Sequence, residues 1–277
     1  VLMAGISLVL GQNFLLGEQR RFVVVSARSR NQARETRWWS VPVVALYALF
    51  TTILPIVALI YVSLQPYWSS TISFSNLTLQ NYETVLNNRL LMGSITTSVV
   101  ASVLAVVIVI PLGFACAYAL LQTTPVLRPI KAAIEGVVTL PMAIPASLMG
   151  FGILFAYSNE PFSLYGTSAI IVVTYVTLMI GYSTRLQSAT LLAMGTEFRE
   201  ASMTSGAGPL QTLFQIMFPM ARKGMAAAAA LTFVMLSHEF SASMMVRSVR
   251  TQVMGSMMYD IWSGGIYPQA AVMALIM

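Results

Sequence analysis

An imidazole and a carboxylate stand side by side in an apolar stretch, His238 and Glu239, with Ser241 two residues on. Ionisable groups in such a setting are costly unless they meet a cavity or a partner. Two roles fit: the group lines the path of a polar substrate, or it is a buried pair bonded to neighbouring helices. One His and one Glu suffice for transient contact with a passing ion but not for storing it. His238 is the single histidine and Cys116 the single cysteine. That excludes an internal disulfide, a thiolate cluster and a multi-histidine metal or haem site. No Gly-x-x-x-x-Gly-Lys-Ser/Thr loop occurs, so this chain is not expected to bind ATP. No nucleophile and base pair is apparent, and the 18 methionines read as packing rather than as soft metal ligands.

The elements that position these residues must be membrane helices. The chain has 277 residues, of which 57% are hydrophobic and only 9% charged, against roughly 25% charged in a soluble domain. A soluble enzyme, a secreted disulfide scaffold and a disordered chain are excluded. An all-α polytopic membrane protein remains. The apolar runs place spans at 41–64, 90–121, 134–157, 167–182 and 225–246, and another begins at 270–277. Residues 1–16 read as the tail of an earlier membrane helix. Pro111 with Gly113, and Pro141 with Pro145, predict bends. The alanine run 226–230 with Gly224 predicts a close helix-packing face.

Charge fixes the expected orientation. Residues 17–39 form a basic linker carrying Arg20, Arg21, Arg28, Arg30, Arg34 and Arg37. If this linker is cytoplasmic, alternation puts Arg128, Lys131, Arg185, Arg199, Arg222 and Lys223 on the same side. Only Arg89, Arg247 and Arg250 then lie outside, twelve basic residues against three of the 15. That asymmetry obeys the positive-inside rule, so the net charge of +6 reflects topology rather than nucleic-acid binding.

The segment between Arg185 and Lys223 changes character. Thr196 is placed to cap a helix starting at Glu197, with Glu197 and Glu200 in its first turns, where carboxylates suit the helix dipole. Gly206 is expected to stop that helix, with a positive φ or a close backbone approach as the reason for glycine. Gly208 and Pro209 start another, with Leu210, Leu213, Phe214 and Met217 on one face. Pro219 is expected to end it. The small residues Ala201, Ser202, Ser205, Gly206 and Ala207 would let a partner approach closely. An amphipathic linker lying on the bilayer accounts for the pattern equally well.

Glu200-Ala201-Ser202, three residues, Gly206, nine residues, Ile216, one residue, then Phe218-Pro219 resembles the EAA loop of ABC importer permeases. The family pattern has Ala where Ser202 stands and Leu where Phe218 stands. Leu77-Thr78-Leu79-Gln80-Asn81-Tyr82 resembles the external Leu-x-x-Asn-Tyr segment of the same family. Leu140-Pro141 to Pro145, Leu164-Tyr165-Gly166-Thr167 and His238-Glu239-Phe240-Ser241-Ala242-Ser243 resemble its ferric-iron branch, although phosphonate, polyamine and thiamine permeases share several of these markers.

The resemblance implies a type I importer transmembrane domain over 40–277, with about six spanning helices and a cytoplasmic coupling helix. The coupling set would be Glu197, Glu200, Ala201, Ser202, Gly206, Ile216 and Pro219, and the substrate path would involve His238, Glu239 and Ser241. The implied partners are a dimer of ABC ATPase subunits, a periplasmic substrate-binding protein, a second permease unit (fused ahead of this one or a separate chain) and membrane lipid, with no nucleic acid. No cofactor is implied on this chain; ATP and Mg would sit on the ATPase. The implied location is a bacterial inner membrane with 17–39 and 184–224 cytoplasmic, and the implied substrate is ferric iron. An ion-coupled secondary transporter and a non-transporting scaffold are the competing classes. The former needs carboxylates deep in several spans, and only Glu239 answers well, Glu135 lying near an end.

The orientation is open to direct test. In a Cys116→Ser background, a cysteine at Ser75 should react with an impermeant thiol reagent applied from outside, and one at Ser29 should not. The reverse labelling would overturn the assignment.

Overall fold

The structure, a computed structural model, describes residues 40–69, 71–121, 128–195 and 197–277. The expected earlier helix (1–16), the basic linker (17–39) and the cap at Thr196 lie outside them. The described residues are almost entirely helical and contain no β-strand. An apolar chain in hydrocarbon has no water to satisfy its backbone, and helices satisfy it internally. The chain divides into two compact units. One takes in the described residues up to Arg89 together with Met258–Met277, and the other is Leu90–Met257.

In the first unit, α1 (Ser40–Ala48) and α2 (Leu54–Ser63) are joined by a π turn at Leu49–Ile53. They form one apolar helix from Val41 to Ser63. The wide turn directly precedes Pro55. Proline lacks an N–H and its ring presses on the carbonyl four residues back. Here the Leu54 N–H reaches back five residues to the Leu49 carbonyl instead, which lets the helix absorb the proline. After α2, the Asn81 side chain on α3 (Gln80–Asn87) donates to the Ser63 carbonyl at 2.9 Å and the Gln65 carbonyl at 2.7 Å. Tyr82 Oη lies 2.8 Å from Ser63 Oγ. Asn81 thus satisfies carbonyls left open at a helix C-terminus, and Tyr82 meets the Ser63 hydroxyl beside them. Helix α13 (Tyr267–Ile276) packs on α2 and α3, and Tyr267 stacks obliquely on Trp68 at 5.4 Å.

The second unit is built on α4 (Arg89–Leu121), α5 (Arg128–Ala143), α6 (Ala146–Tyr157), α7 (Ser168–Ala193) and α10 (Phe218–Ser237). Between α7 and α10 lie α8 (Glu197–Thr204) and α9 (Pro209–Thr212), and α11 (Ser243–Val246) and α12 (Met254–Ser263) follow α10. Tyr175, Ile170 and Ile171 of α7 are fully buried at the core. Glycines set the helix contacts. A Cβ at Gly113 of α4 would overlap Ser183 of α7, whose hydroxyl donates to the Val109 carbonyl at 3.0 Å. A Cβ at Gly181 would lie 2.5 Å from the Val138 carbonyl oxygen of α5, and one at Gly224 of α10 would overlap the Thr190 side chain. Of the expected packing face on α10, Gly224 and Ala228 are packed, whereas Ala226 and Ala227 face outward.

Several expected boundaries move. Helix α4 runs through Pro111 without interruption. The expected third span is broken at Ile144–Pro145, where α5 and α6 meet at 114°; Pro141 lies inside α5. The fourth span is longer than its apolar run, because α7 continues through Arg185 to Ala193. The fifth stops at Ser237, so His238 and Glu239 are not within it but in the turn that follows. Among the described residues, three helices are long and apolar enough to cross a bilayer, or four if the bent pair is one span. Helix α10 stands outside that set, with Arg222 and Lys223 near its start.

Gly150 offers the sharpest packing test. A Cβ there would lie 2.5 Å from the Ala242 carbonyl oxygen and 2.9 Å from its Cα, backbone that has little freedom to yield. Gly150→Ala should cost about 1–3 kcal/mol, read as a fall in the detergent unfolding temperature. Gly152→Ala, with nothing within 4 Å, should be neutral or slightly stabilising.

Candidate coupling site

Helix α8 carries Glu197, Glu200, Ala201 and Ser202 and ends in a two-bond cap. The Gly206 N–H donates to the Met203 carbonyl at 3.0 Å, and the Ala207 N–H to the Ser202 carbonyl at 3.1 Å. Gly206 has φ +87°, the left-handed geometry that this Schellman pattern requires and that glycine adopts without penalty. A Cβ on Gly206 would meet nothing within 4 Å, so the space over the cap is open.

The chain then turns at Gly208, and α9 begins at Pro209. Helix α9 does not end at Pro219. A π turn at Leu213–Met217 precedes that proline, and the Phe218 N–H reaches back to the Leu213 carbonyl. The arrangement repeats that around Pro55, so α9 and α10 form one continuous helical rod. Ser202 is buried against this rod rather than offered to a partner. Its hydroxyl lies 2.8 Å from that of Thr212, also buried. The bond ties α8 to α9.

The outward surface is mixed. Glu197, Phe198, Glu200, Ala201 and Met203 are exposed, as are Leu210, Phe214 and Pro219. The expected single apolar face of the second helix is therefore split: Leu213 and Met217 turn inward, while Leu210 is 71% and Phe214 65% exposed. Ile216 is half-buried. The Glu200 carboxylate makes no hydrogen bond or ion pair to the turn or to any described residue; only its carbonyl is used, accepting from Thr204 Oγ1 at 3.0 Å.

His238, Glu239 and Ser241 lie at the other end of α10. Twenty residues of helix span about 30 Å, so the structure does not bring the two sets together. His238 Nδ1 lies 2.7 Å from the Val234 carbonyl oxygen. The Glu239 carboxylate accepts from the backbone N–H of Ala242 at 2.7 Å and of Ser243 at 2.9 Å, which caps α11. Both carboxylate oxygens are thereby engaged by the chain's own backbone. Ser241 is exposed. The turn is held between glycines: a Cβ on Gly150 would overlap the Ala242 backbone, and one on Gly255 would lie 3.3 Å from the Glu239 carbonyl oxygen. The sequence reading missed this wedge and the bracing role of Thr212. The local spacing Glu239 to Ser243 carries a capping signal, but the two glycines are distant in sequence.

Residues 109–277 match the family model described as binding-protein-dependent transport system inner membrane component. A diacetylchitobiose uptake system permease protein of Streptomyces coelicolor is 29% identical over 63% of this chain and 59% of its own length. A putative 2-aminoethylphosphonate transport system permease protein of Salmonella typhimurium is 29% identical over 39% of this chain and 40% of its own length. A ferric transport system permease protein of Actinobacillus pleuropneumoniae is 25% identical over 44% of this chain and 18% of its own length. The chain thus spans less than two thirds of the length of each of these relatives. In fold it is similar to a chain of a bacterial ABC transporter involved in alginate import, with TM-score 0.65, 14% identity, and coverage of 86% of this chain and 88% of that one. It is also similar to a chain of the inward-facing MetNI methionine ABC transporter, with TM-score 0.56 and 19% identity, covering 70% of this chain and 89% of that one. With the family model matched over more than half of its residues, and with the all-helical architecture described above, the chain belongs to the binding-protein-dependent transport system inner membrane component family.

Proposed function

We propose that this chain is the membrane permease subunit of an ATP-driven importer, and that α8 with its Gly206 cap is the element that docks on a dimer of ATPase subunits. The observation that carries the reading is mechanical. A short helix with exposed carboxylates and open space over its cap is tied by the Ser202–Thr212 bond to a helical rod that enters the bundle. Movement of the docked helix would be passed to α9 and α10 rather than lost in a loose loop. In this reading ATP and Mg are bound and hydrolysed by the partner, and the permease switches between outward-open and inward-open states. The loop 184–224 lies in the cytoplasm of a bacterial cell, and a periplasmic binding protein delivers the substrate to a pore completed by a second permease unit.

For the substrate we propose ferric iron, supported by the Leu140–Pro145, Leu164–Thr167 and His238–Ser243 segments. Phosphonate is the second reading, favoured by the higher identity to the aminoethylphosphonate relative than to the ferric one. Ser241, exposed in the turn after α10, is the residue of its set best placed to meet a passing substrate. Glu239 acts through the shape of that turn. Selectivity then rests largely with the delivering protein, and uptake assays with iron-binding and phosphonate-binding proteins in turn separate the two substrates.

Coupling is tested by substitution. A side chain at Gly206 must adopt left-handed geometry, costing about 1–2 kcal/mol, while the bundle itself is untouched. Gly206→Val should abolish transport and weaken co-purification of the ATPase, with membrane insertion unchanged. Removing the Glu200 carboxylate removes a charge-assisted contact worth roughly 1.5–3 kcal/mol, so Glu200→Ala should weaken ATPase docking about tenfold or more. Gln211→Ala, which loses only an exposed 3.2 Å bond to Gln215, should be nearly silent. Normal transport by Gly206→Val with the ATPase bound would remove this loop from the coupling role.

The brace and the turn have their own tests. Ser202→Ala and Thr212→Val each leave a buried hydroxyl without its partner, at about 1–3 kcal/mol. The double variant should cost less than the two single losses added together, as read by unfolding temperature. Glu239→Gln keeps one acceptor and loses the other. It should lower transport while the ATPase stays bound; dissociation of the complex in detergent would mark Glu239 as purely structural.

A further inference from the structure

Helices α7 and α10 pack on each other, and each buries a polar side chain that no other group meets. Gln187 of α7 and Thr232 of α10 are fully buried. Both amide atoms of Gln187 and the hydroxyl of Thr232 have no hydrogen-bond partner among the described residues, and water does not reach them. The contrast along α7 is direct. The hydroxyls of Thr174, Thr177, Thr184 and Thr190 each donate to the carbonyl four residues back, at 2.7, 2.8, 2.8 and 3.0 Å. A buried polar group without a partner is less favourable than an apolar group of the same shape, so native chains leave few of them.

Position narrows the meaning. Gln187 lies one turn after Ser183 and Thr184 and one turn before Thr190 and Leu191. Ser183 bonds the Val109 carbonyl of α4. Thr190 meets Gly224 of α10 so closely that a Cβ on that glycine would overlap it. Gln187 thus sits on the stripe of α7 that is shut against its neighbours. Thr232 belongs to the buried stripe of α10, with Ala221, Met225, Ala228 and Leu236. An apolar residue would suit either place. A packing that instead closes over an amide and a hydroxyl is complete in shape but incomplete in bonding. Any arrangement that admits water gains those bonds.

We propose that the seam between α7 and α10 is a two-state contact, dry and closed as seen here, and opened in a second arrangement where the Gln187 amide and the Thr232 hydroxyl gain partners from water or from each other. These two side chains lower the stability of the closed state and so keep the two states close in free energy. They offset the tight packing at Gly224, which favours closure. Helix α10 continues α9, which the Ser202–Thr212 bond ties to α8, so movement of α8 acts on this seam. The opening is a property of the chain alone; its use in transport rests on the importer reading above.

The test uses the intact membrane complex, followed by hydrogen exchange of the α7 and α10 amides and by the unfolding temperature. Gln187→Leu removes the unpaired amide and keeps an apolar side chain in its place. It should raise the unfolding temperature by several degrees and slow exchange on both helices about tenfold or more. With the closed state favoured, transport should fall while the ATPase stays bound. Thr232→Val should move every reading in the same direction by less, and it serves if the leucine variant folds poorly. Thr174→Val removes an equally buried hydroxyl that is already bonded, so it should neither raise the unfolding temperature nor slow exchange. Exchange as fast as in the wild type, or an unfolding temperature no higher, in both Gln187→Leu and Thr232→Val would overturn the proposal. So would a stabilised Gln187→Leu that transports normally, since the seam would then not need to open. Exchange and unfolding are read without ATP, and ATPase co-purification is scored separately, so failure here is distinguishable from failure of the coupling reading.

Discussion

Every backbone N–H and C=O that leaves a helix in an apolar environment must find a partner inside the protein. This constraint explains most of the side-chain chemistry of the chain. Helix α2 ends and Asn81 takes the carbonyls of Ser63 and Gln65. Helix α10 ends and the Glu239 carboxylate takes the N–H groups of Ala242 and Ser243. Helix α12 begins with the Met254 N–H on Ser98 Oγ at 2.7 Å. Helix α8 closes on its own carbonyls through Gly206. Polar residues that look like candidates for chemistry are, at these places, the means by which a helix is allowed to stop.

Proline poses the same problem inside a helix, and at two of its prolines the chain meets it with the same device. The π turns at Leu49–Ile53 and Leu213–Met217 each stand directly before a Leu-Pro or Phe-Pro step. Widening the turn moves the preceding hydrogen bond back by one residue and keeps the rod continuous. Pro111 is carried inside α4 without such a turn, whereas at Ile144–Pro145 the helix ends and the chain bends by 114°. The difference has a functional consequence under the coupling reading. Because the second π turn preserves the rod, the loop around Gly206 is connected stiffly to the bundle.

Close approach of helices completes the second unit. Gly113, Gly150, Gly181 and Gly224 each sit where a side chain would collide with a neighbouring element. With little hydrophobic drive between helices in lipid, association depends on such contacts and on bonds between helices.

Long apolar runs and scarce charge sufficed to read an all-helical membrane chain, since such a composition does not cover a water-facing surface of normal polarity. The sequence also located the EAA-like loop and the stop at Gly206, because a helix stop followed by Gly-Pro is local information. Span limits were less legible. Apolar runs mark where hydrocarbon is tolerated, not where hydrogen bonding stops, so α7 passed Arg185 and α10 ended before His238. The tertiary structure alone decided what the polar residues do. Glu239 became a cap, Ser202 turned inward to Thr212, and Leu210 and Phe214 turned outward while Met217 went into the core. Each outcome depends on which helix lies opposite, and residues brought face to face by packing leave no mark in the spacing of a single sequence.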